Sequence, residues 1–368
     1  MAFISAIGTA VPDHKTSQED IYNFMQKAHG LEGDEARKLR VLYRATGIQT
    51  RHTVIEDYSQ AEVRNFFPPT EDLEPFPSTA HRMKVYQEQA KSISLEAIRS
   101  AMSHLTSWKA EEITHLITVS CTGMYAPGLD IDLTNELGLN PQVQRTNVYF
   151  MGCQAAFNGL KVGNAICESD PNAKVLMVCV ELCTLHFQKE VTEDSLLANS
   201  LFADGAAAVC ISPKAEGPLS MSMEEFVCAL HPEGKRDMAW KIGNFGFEMK
   251  LTSYVPDIIK GGIKQLTEKL FSSLKVSLKE VSHFAVHPGG KRILRFVEDE
   301  LEIDREQNWP AHKVLKEYGN MSSPTILFVL KELWDNLKDK KESSYILNFA
   351  FGPGLTLESM LLKTYPGS

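Results

Sequence analysis

Residues 113–120, Ile113-Thr114-His115-Leu116-Ile117-Thr118-Val119-Ser120, are answered late in the chain by residues 281–287, Val281-Ser282-His283-Phe284-Ala285-Val286-His287. Each stretch reads as a buried strand preceded by an amphipathic helix and a short charged linker. His115 and His283 lie 168 positions apart, Cys153 and Asn320 lie 167 apart, and Lys174-Val175-Leu176-Met177 and Ser344-Tyr345-Ile346-Leu347 lie 170 apart. Three strands and two helices at nearly one offset argue for a duplicated α/β unit. Two copies related by a pseudo-twofold would bring equivalent positions to one centre, so Cys153 and Asn320 are expected to face one site, each at a helix start. The duplication divides the chain into an N-terminal half, 1–213, carrying the cysteine, and a C-terminal half, 214–368, carrying His287 and Asn320.

Outward from that frame, Ser17 to Arg44 reads as helical, with Ser17 as a cap. Residues 50–80 carry Phe66-Phe67-Pro68-Pro69 and Pro75-Phe76-Pro77 and read as a loop or lid. Ala80–Leu105 reads as a helix. Residues 214–250 do not match the duplication and read as an inserted, partly β excursion. Tyr345–Ala350, the turn Gly352-Pro353-Gly354 and Leu355–Leu362 read as a hairpin of two central strands.

The 368 residues suit two fused halves sharing a large core. A formal net charge of −9 argues against general nucleic-acid binding. No apolar run reaches membrane length, and Met1-Ala2-Phe3-Ile4-Ser5-Ala6 reads as a strand without the basic start of a signal peptide, so a cytoplasmic location is expected. The seven cysteines form no metal-type cluster, and Cys179, Cys183 and Cys210 read as packing residues. No metal is expected.

Cys153 opens Gly152-Cys153-Gln154-Ala155-Ala156 after the apolar run Val148-Tyr149-Phe150. A cysteine at a strand-to-helix junction meets unpaired N–H groups and the positive end of a helix dipole, which favours thiolate and makes it a candidate nucleophile. Such a nucleophile needs a base or cationic partner, and the oxyanion or enolate it generates needs aimed donors. His287, followed by Pro288-Gly289-Gly290, is the best partner candidate, its imidazole expected exposed at a strand tip. Asn320, in Tyr318-Gly319-Asn320-Met321-Ser322-Ser323-Pro324, reads either as a helix cap or, through its equivalence to Cys153, as a catalytic amide.

These segments, with Ser120-Cys121-Thr122-Gly123, Leu201-Phe202-Ala203-Asp204-Gly205-Ala206-Ala207-Ala208 and Phe351-Gly352-Pro353-Gly354, closely resemble the type III polyketide synthases, the chalcone-synthase-like family, of bacterial type. The resemblance runs in order from about residue 3 to 363. It implies a thiolase-like αβαβα fold of two duplicated halves with buried mixed sheets, a homodimer, and acyl groups delivered as coenzyme A thioesters, with acyl-CoA and malonyl-CoA as substrates and no other cofactor. Carried over by position, Cys153 accepts the starter acyl group, and His287 keeps it as thiolate. His287 and Asn320 then stabilise the enolate left by malonyl-CoA decarboxylation. Phe202 matches a gatekeeper, Gly352, Pro353 and Gly354 a cyclisation-pocket loop, and Ser322 a cavity wall. Lys38, Arg40 and Arg44 fall where the family binds coenzyme A phosphates; they read equally well as a solvated helix face. Departures from plant members are Met249 at a second gatekeeper position, Ala126 for a cross-dimer methionine, Trp240 for a glycine, and His186 for a threonine. Cys121 is expected in the cavity wall and not as a second nucleophile. The rival readings are a ketoacyl-ACP synthase III-like condensing enzyme and a thioester hydrolase using the same cysteine.

Overall fold

A computed structural model describes residues 1–59, 64–252 and 255–367, the side chains of 256–258 excepted. The first half runs β1 (Phe3–Ala10), β2 (His14–Ser17), α1 (Gln18–Ala28), α2 (Gly33–Ala45), β3 (Thr50–Thr53), α3 (Thr79–Met102), β4 (His115–Ser120), α4 (Leu129–Leu137), β5 (Gln144–Tyr149), α5 (Ala155–Ser169), β6 (Val175–Leu182), α6 (Glu193–Leu201) and β7 (Asp204–Ser212). The second runs β8 (Leu219–Leu230), the hairpin β9 (Met238–Gly243) and β10 (Gly246–Leu251), α7 (Val255–Ser272), β11 (Val281–Val286), α8 (Lys291–Leu301), α9 (Trp309–Tyr318), α10 (Thr325–Leu337), β12 (Tyr345–Gly352) and β13 (Thr356–Pro366).

The sheet order β11-β12-β13-β8-β1-β7-β6-β4-β5 shows the duplication directly. Reading outward from the β8–β1 junction, β1, β7, β6 and β4 match β8, β13, β12 and β11. The directions match too. β1–β7 and β7–β6 are antiparallel and β6–β4 parallel; β8–β13 and β13–β12 are antiparallel and β12–β11 parallel. Within this sheet the halves join where β1 meets β8, through the paired positions Phe3↔Ser222 and Ile4↔Met221.

β4, β6 and β7 are buried along their whole length, as strands covered on both faces must be. α3 packs on β1, β6 and β7, and α7 on β8 and β13. α5 packs on β4, β6 and β7, and α10 on β1, β7 and β11, consistent with a thiolase-like α/β fold. The sequence of α10, Thr-Ile-Leu-Phe-Val-Leu at its start, is apolar all round, the pattern of a fully enclosed helix.

Three expectations need correction. The helix expected over 17–44 is two helices, because Gly30, between α1 and α2, and Gly33, the first residue of α2, both sit at positive φ; Ser17 does cap α1, accepting from Asp20 N–H (3.0 Å). The loop expected over 50–80 begins with β3, which pairs with β2, and its residues 60–63 lie outside the described residues. The excursion expected over 214–250 contains β8, a central strand and the counterpart of β1; only the short helical turn at 232–236 and the β9–β10 hairpin stand outside the repeat. Among the described residues no helix is long and apolar enough to cross a membrane, and no cluster of ligands could hold a metal ion.

Candidate active site

Cys153 lies in the turn between β5 and α5, and Asn320 between α9 and α10. Both are buried, at 1% and 2% exposure. Gly152 has φ +84°, and a Cβ there would lie 2.1 Å from Pro353 Cδ, so a glycine is required to let the β12–β13 loop close against the cysteine turn. Gly352 in turn packs against the Gln154 side chain, and Gly354 N–H bonds Met238 O (3.4 Å). From the other side Cys121 Sγ accepts the Gly152 N–H (2.9 Å).

The Asn320 loop is fixed by its backbone. Asn320 N–H donates to Leu201 O (3.0 Å), and its own carbonyl accepts from Ala203 N–H (2.9 Å), so Asn320 and Phe202 form a backbone bridge. Asn320 Oδ1 accepts the Ser322 N–H (2.9 Å) and Nδ2 reaches Gly289 O at 3.4 Å. This network sets the amide with its N–H groups toward the His287-Pro288-Gly289 turn. Ser322 holds φ +58°, a strained conformation for a non-glycine residue, at the chamber wall.

His287 follows β11 directly. Its backbone N–H bonds Phe349 O (2.8 Å), while neither ring nitrogen has a partner among the described residues. The imidazole is 1% exposed, not exposed at a strand tip as the sequence suggested, because the β12–β13 layer and the Gly289 turn close over it. Burial lowers its pKa to about 3 and pushes the Cys153 thiol up to about 12, against hydrogen bonds from Ser322 and Asn320 that pull the thiol down. Desolvation therefore outweighs the helix-dipole effect expected from sequence. Either charge alone is disfavoured. A proton passing from thiol to imidazole would create both charges together, and their attraction offsets part of that cost.

Cys121, Gly152, Cys153, Phe202, Ser322 and Pro353 line one small chamber, together with Trp240 and Met249. His186 lies one layer further, beyond Trp240. Leu201, the neighbour of Phe202, faces a much larger cavity of about 810 Å³ between α2, α6 and α8, which reaches inward to Gly289. Lys38 lines this mouth. Arg40 does not; it pairs with Glu19 (3.2 Å) and stacks its guanidinium over Tyr22. Arg44 is exposed and also lies outside the lining. Three cations that sequence reasoning missed, Lys291, Arg292 and Arg295, line the mouth from α8. Their signal was available, since they follow His287-Pro288-Gly289-Gly290 directly.

A second missed residue is Glu181 on β6, 0% exposed. It accepts from Cys121 N–H (2.8 Å), Thr122 Oγ1 (2.8 Å), Ser120 Oγ (3.4 Å) and Ser323 Oγ (2.5 Å), tying the loop after β4 to the loop before α10. Burial raises its pKa to about 6. A lone acid inside Val178-Cys179-Val180-Glu181-Leu182 was the signal.

The sequence matches the family described as "Chalcone and stilbene synthases, N-terminal domain" over residues 1–215 and "Chalcone and stilbene synthases, C-terminal domain" over 219–366. It is 30% identical to "Type III polyketide synthase A" of Arabidopsis thaliana, covering 100% of this chain and 94% of that protein. It is also 30% identical to "Probable polyketide synthase 1" of Dictyostelium discoideum over 98% of this chain, which spans only 11% of that protein's length. Among solved structures, PKS-I from the brown alga Ectocarpus siliculosus superposes with a TM-score of 0.90 at 26% identity, over 99% of this chain and 98% of that one. Both halves of the repeat, and the loops that carry Cys153, His287 and Asn320, fall inside these matches: the chain belongs to the chalcone and stilbene synthase family, the type III polyketide synthases.

Proposed function

We propose that this chain is an acyltransferase that extends an acyl-CoA starter by iterative decarboxylative condensation with malonyl-CoA and releases a small pyrone, resorcinol or related polyketide. The observation that carries the reading is a buried cysteine whose thiol is hydrogen-bonded by the Asn320 side chain, an amide that also reaches Gly289 O in the turn after His287, and a buried His287 imidazole whose two ring nitrogens have no partner among the described residues. Buried polar atoms are normally satisfied, so an imidazole without a partner, next to the turn that the Asn320 amide contacts, marks a place for substrate.

The chemistry follows from these groups. Cys153 gives its proton to His287 and attacks the starter thioester; the coenzyme A thiolate leaves and takes the proton back. Malonyl-CoA then loses carbon dioxide, and the electron pair of the broken bond moves into the thioester carbonyl as an enolate. The neutral imidazole N–H and the Asn320 amide N–H donate to that oxygen, and preorganised donors of this kind are worth about 3–4 kcal/mol each. The enolate carbon attacks the Cys153 thioester and releases the thiolate, and the lengthened chain returns for another cycle.

The mouth suits coenzyme A, with apolar walls for pantetheine and Lys38, Lys291, Arg292 and Arg295 for phosphates. The same reading includes a homodimer in the cytoplasm. Met124 and Met151 are 39% and 43% exposed beside the Cys121 and Cys153 loops, apolar surface that a second copy would cover. Intact-protein mass spectrometry after incubation with acyl-CoAs tests the first step, with a covalent acyl group expected on Cys153. An adduct on another cysteine, or thioester hydrolysis with no adduct, contradicts it.

A further inference from the structure

A helix leaves its last carbonyls without partners of its own. At the end of α6 those carbonyls are capped from three separate parts of the chain. Ala198 O accepts the Phe202 N–H (3.1 Å), Asn199 O accepts from Arg51 Nη1 (2.9 Å), Ser200 O from Gln18 Nε2 (2.8 Å) and Leu201 O from the Asn320 N–H (3.0 Å). Arg51 Nη1 also donates to Phe202 O (2.6 Å). The residues just before Arg51 hold the end of α9, from which the Asn320 loop emerges: Gln49 N–H donates to Lys316 O (2.8 Å) and Thr50 Oγ1 to Glu317 O (2.7 Å). Three consecutive residues, 49–51, thus cap the two helices whose ends carry Phe202 and Asn320.

Arg51 meets the Phe202–Asn320 backbone bridge from both sides. Its guanidinium holds the Phe202 carbonyl, and its methylenes pack on Gly319, the residue before Asn320. Gly319 holds φ +73°, and a Cβ there would lie 3.0 Å from Arg51 Cγ, 3.1 Å from Arg51 Cδ and 3.0 Å from Leu201 O. Only a glycine admits the arginine stem and the Leu201 carbonyl this close to the loop. Arg51 is 2% exposed. Its charge faces the negative end of the α6 dipole, which favours a cation there, yet Nε and Nη2 reach no hydrogen-bond partner among the described residues. An arginine serving stability alone would satisfy more of its five donors, because a buried charge is costly.

Resting on the condensing reading above, we propose that Arg51 is a positioning residue for the Asn320 amide: by holding the Phe202 carbonyl and the Gly319 backbone, it sets the donor that stabilises the enolate formed from malonyl-CoA. Arg51 does not line the chamber around Cys153. Its effect on the reaction passes through the bridge.

The test is a double-mutant cycle between Arg51 and Asn320, read as carbon dioxide release from radiolabelled malonyl-CoA beside acyl-Cys153 formation from acetyl-CoA. Arg51→Met keeps most of the stem and removes the Nη1 bonds. It should lower kcat for decarboxylation about ten-fold, the scale of a slightly misplaced group, with KM for malonyl-CoA and acetyl loading within about two-fold of wild type. On the Asn320→Ala background Arg51→Met should have no further effect, because the group it positions is gone. Arg51→Lys, whose ammonium can replace one of the two bonds, should lose only about three-fold. Thermal melting establishes that each variant is folded, and Arg51→Lys carries the same cycle where Arg51→Met fails to fold. A merely structural role would lower the melting temperature and act equally on both backgrounds. Equal losses on the wild-type and Asn320→Ala backgrounds, or a folded Arg51→Met enzyme that decarboxylates at the wild-type rate, overturn the proposal. A wild-type chain that releases no carbon dioxide from malonyl-CoA overturns the condensing reading instead.

Discussion

Cys153 and His287 resist ionisation singly, since both are buried and the imidazole has no carboxylate partner among the described residues. Each therefore depends on the other. In His287→Ala the thiol loses its proton acceptor while burial, the largest cause of its resistance to ionisation, remains, so the midpoint of Cys153 alkylation by iodoacetamide should lie at higher pH than in the wild type; identical pH profiles would show that the imidazole does not accept the proton. The donors divide the work. Cys153→Ala should abolish acyl adducts while keeping malonyl-CoA decarboxylation, which needs only His287 and Asn320. Asn320→Ala should lose decarboxylation about 10²–10³-fold, with starter loading much less affected, as for other single oxyanion donors. Carbon dioxide release and adduct mass, measured on both variants, check this crossing pattern.

The elements that carry these residues are held from below by β6. Glu181 titrates at about 6 in the folded chain, above its ordinary 4.5, so the native state binds more protons than the unfolded state between those values. Its contribution to stability is full below about 4.5, declines by about 2 kcal/mol as pH rises to about 6, and is flat above. Glu181→Gln should remove that slope while leaving the parallel one from Asp204, also raised to about 6; denaturant midpoints at pH 4.5 and 7 compare the two, and wild-type and variant curves that stay parallel count against it. The fully buried strands β4, β6 and β7 and both glycine-framed loops were legible in the sequence because fully buried strands read as continuous apolar runs; the short β2 and β3 were not, and nor was β8. Its Leu219-Ser220-Met221-Ser222-Met223-Glu224 alternates where its counterpart β1 reads Phe3-Ile4-Ser5-Ala6-Ile7, and only pairing with β1 and β13 identifies it. Glu181 was hidden for the converse reason, since its partners come from two loops more than fifty residues away on either side.

Across the whole molecule a negatively charged chain presents a mouth whose cations come from two helices, α2 and α8, far apart in sequence. Helical periodicity shows which face of each helix is polar but not that the two faces meet, so Lys38 was found and its partners on α8 were not. Lys38→Glu and Lys291→Glu should each raise KM for coenzyme A thioesters by about ten-fold, with less effect on kcat, and leave KM for the matching pantetheine thioester near wild type. Arg40→Ala should change that KM less than two-fold, because its exposed pair with Glu19 is worth only ~0.2–1 kcal/mol and lies outside the cavity. Steady-state kinetics on both thioester forms checks the contrast.

The central claim is carbon–carbon bond formation at Cys153. The most direct measurement is the mass of small-molecule products from the purified chain given acetyl-CoA and malonyl-CoA carrying carbon-13 in its methylene. The account predicts products longer than the starter by whole C2H2O units, one labelled carbon per unit, absent with Cys153→Ala. Free acetate and labelled malonate, with no product in which the carbons of the acetyl starter are joined to a labelled carbon, would contradict it.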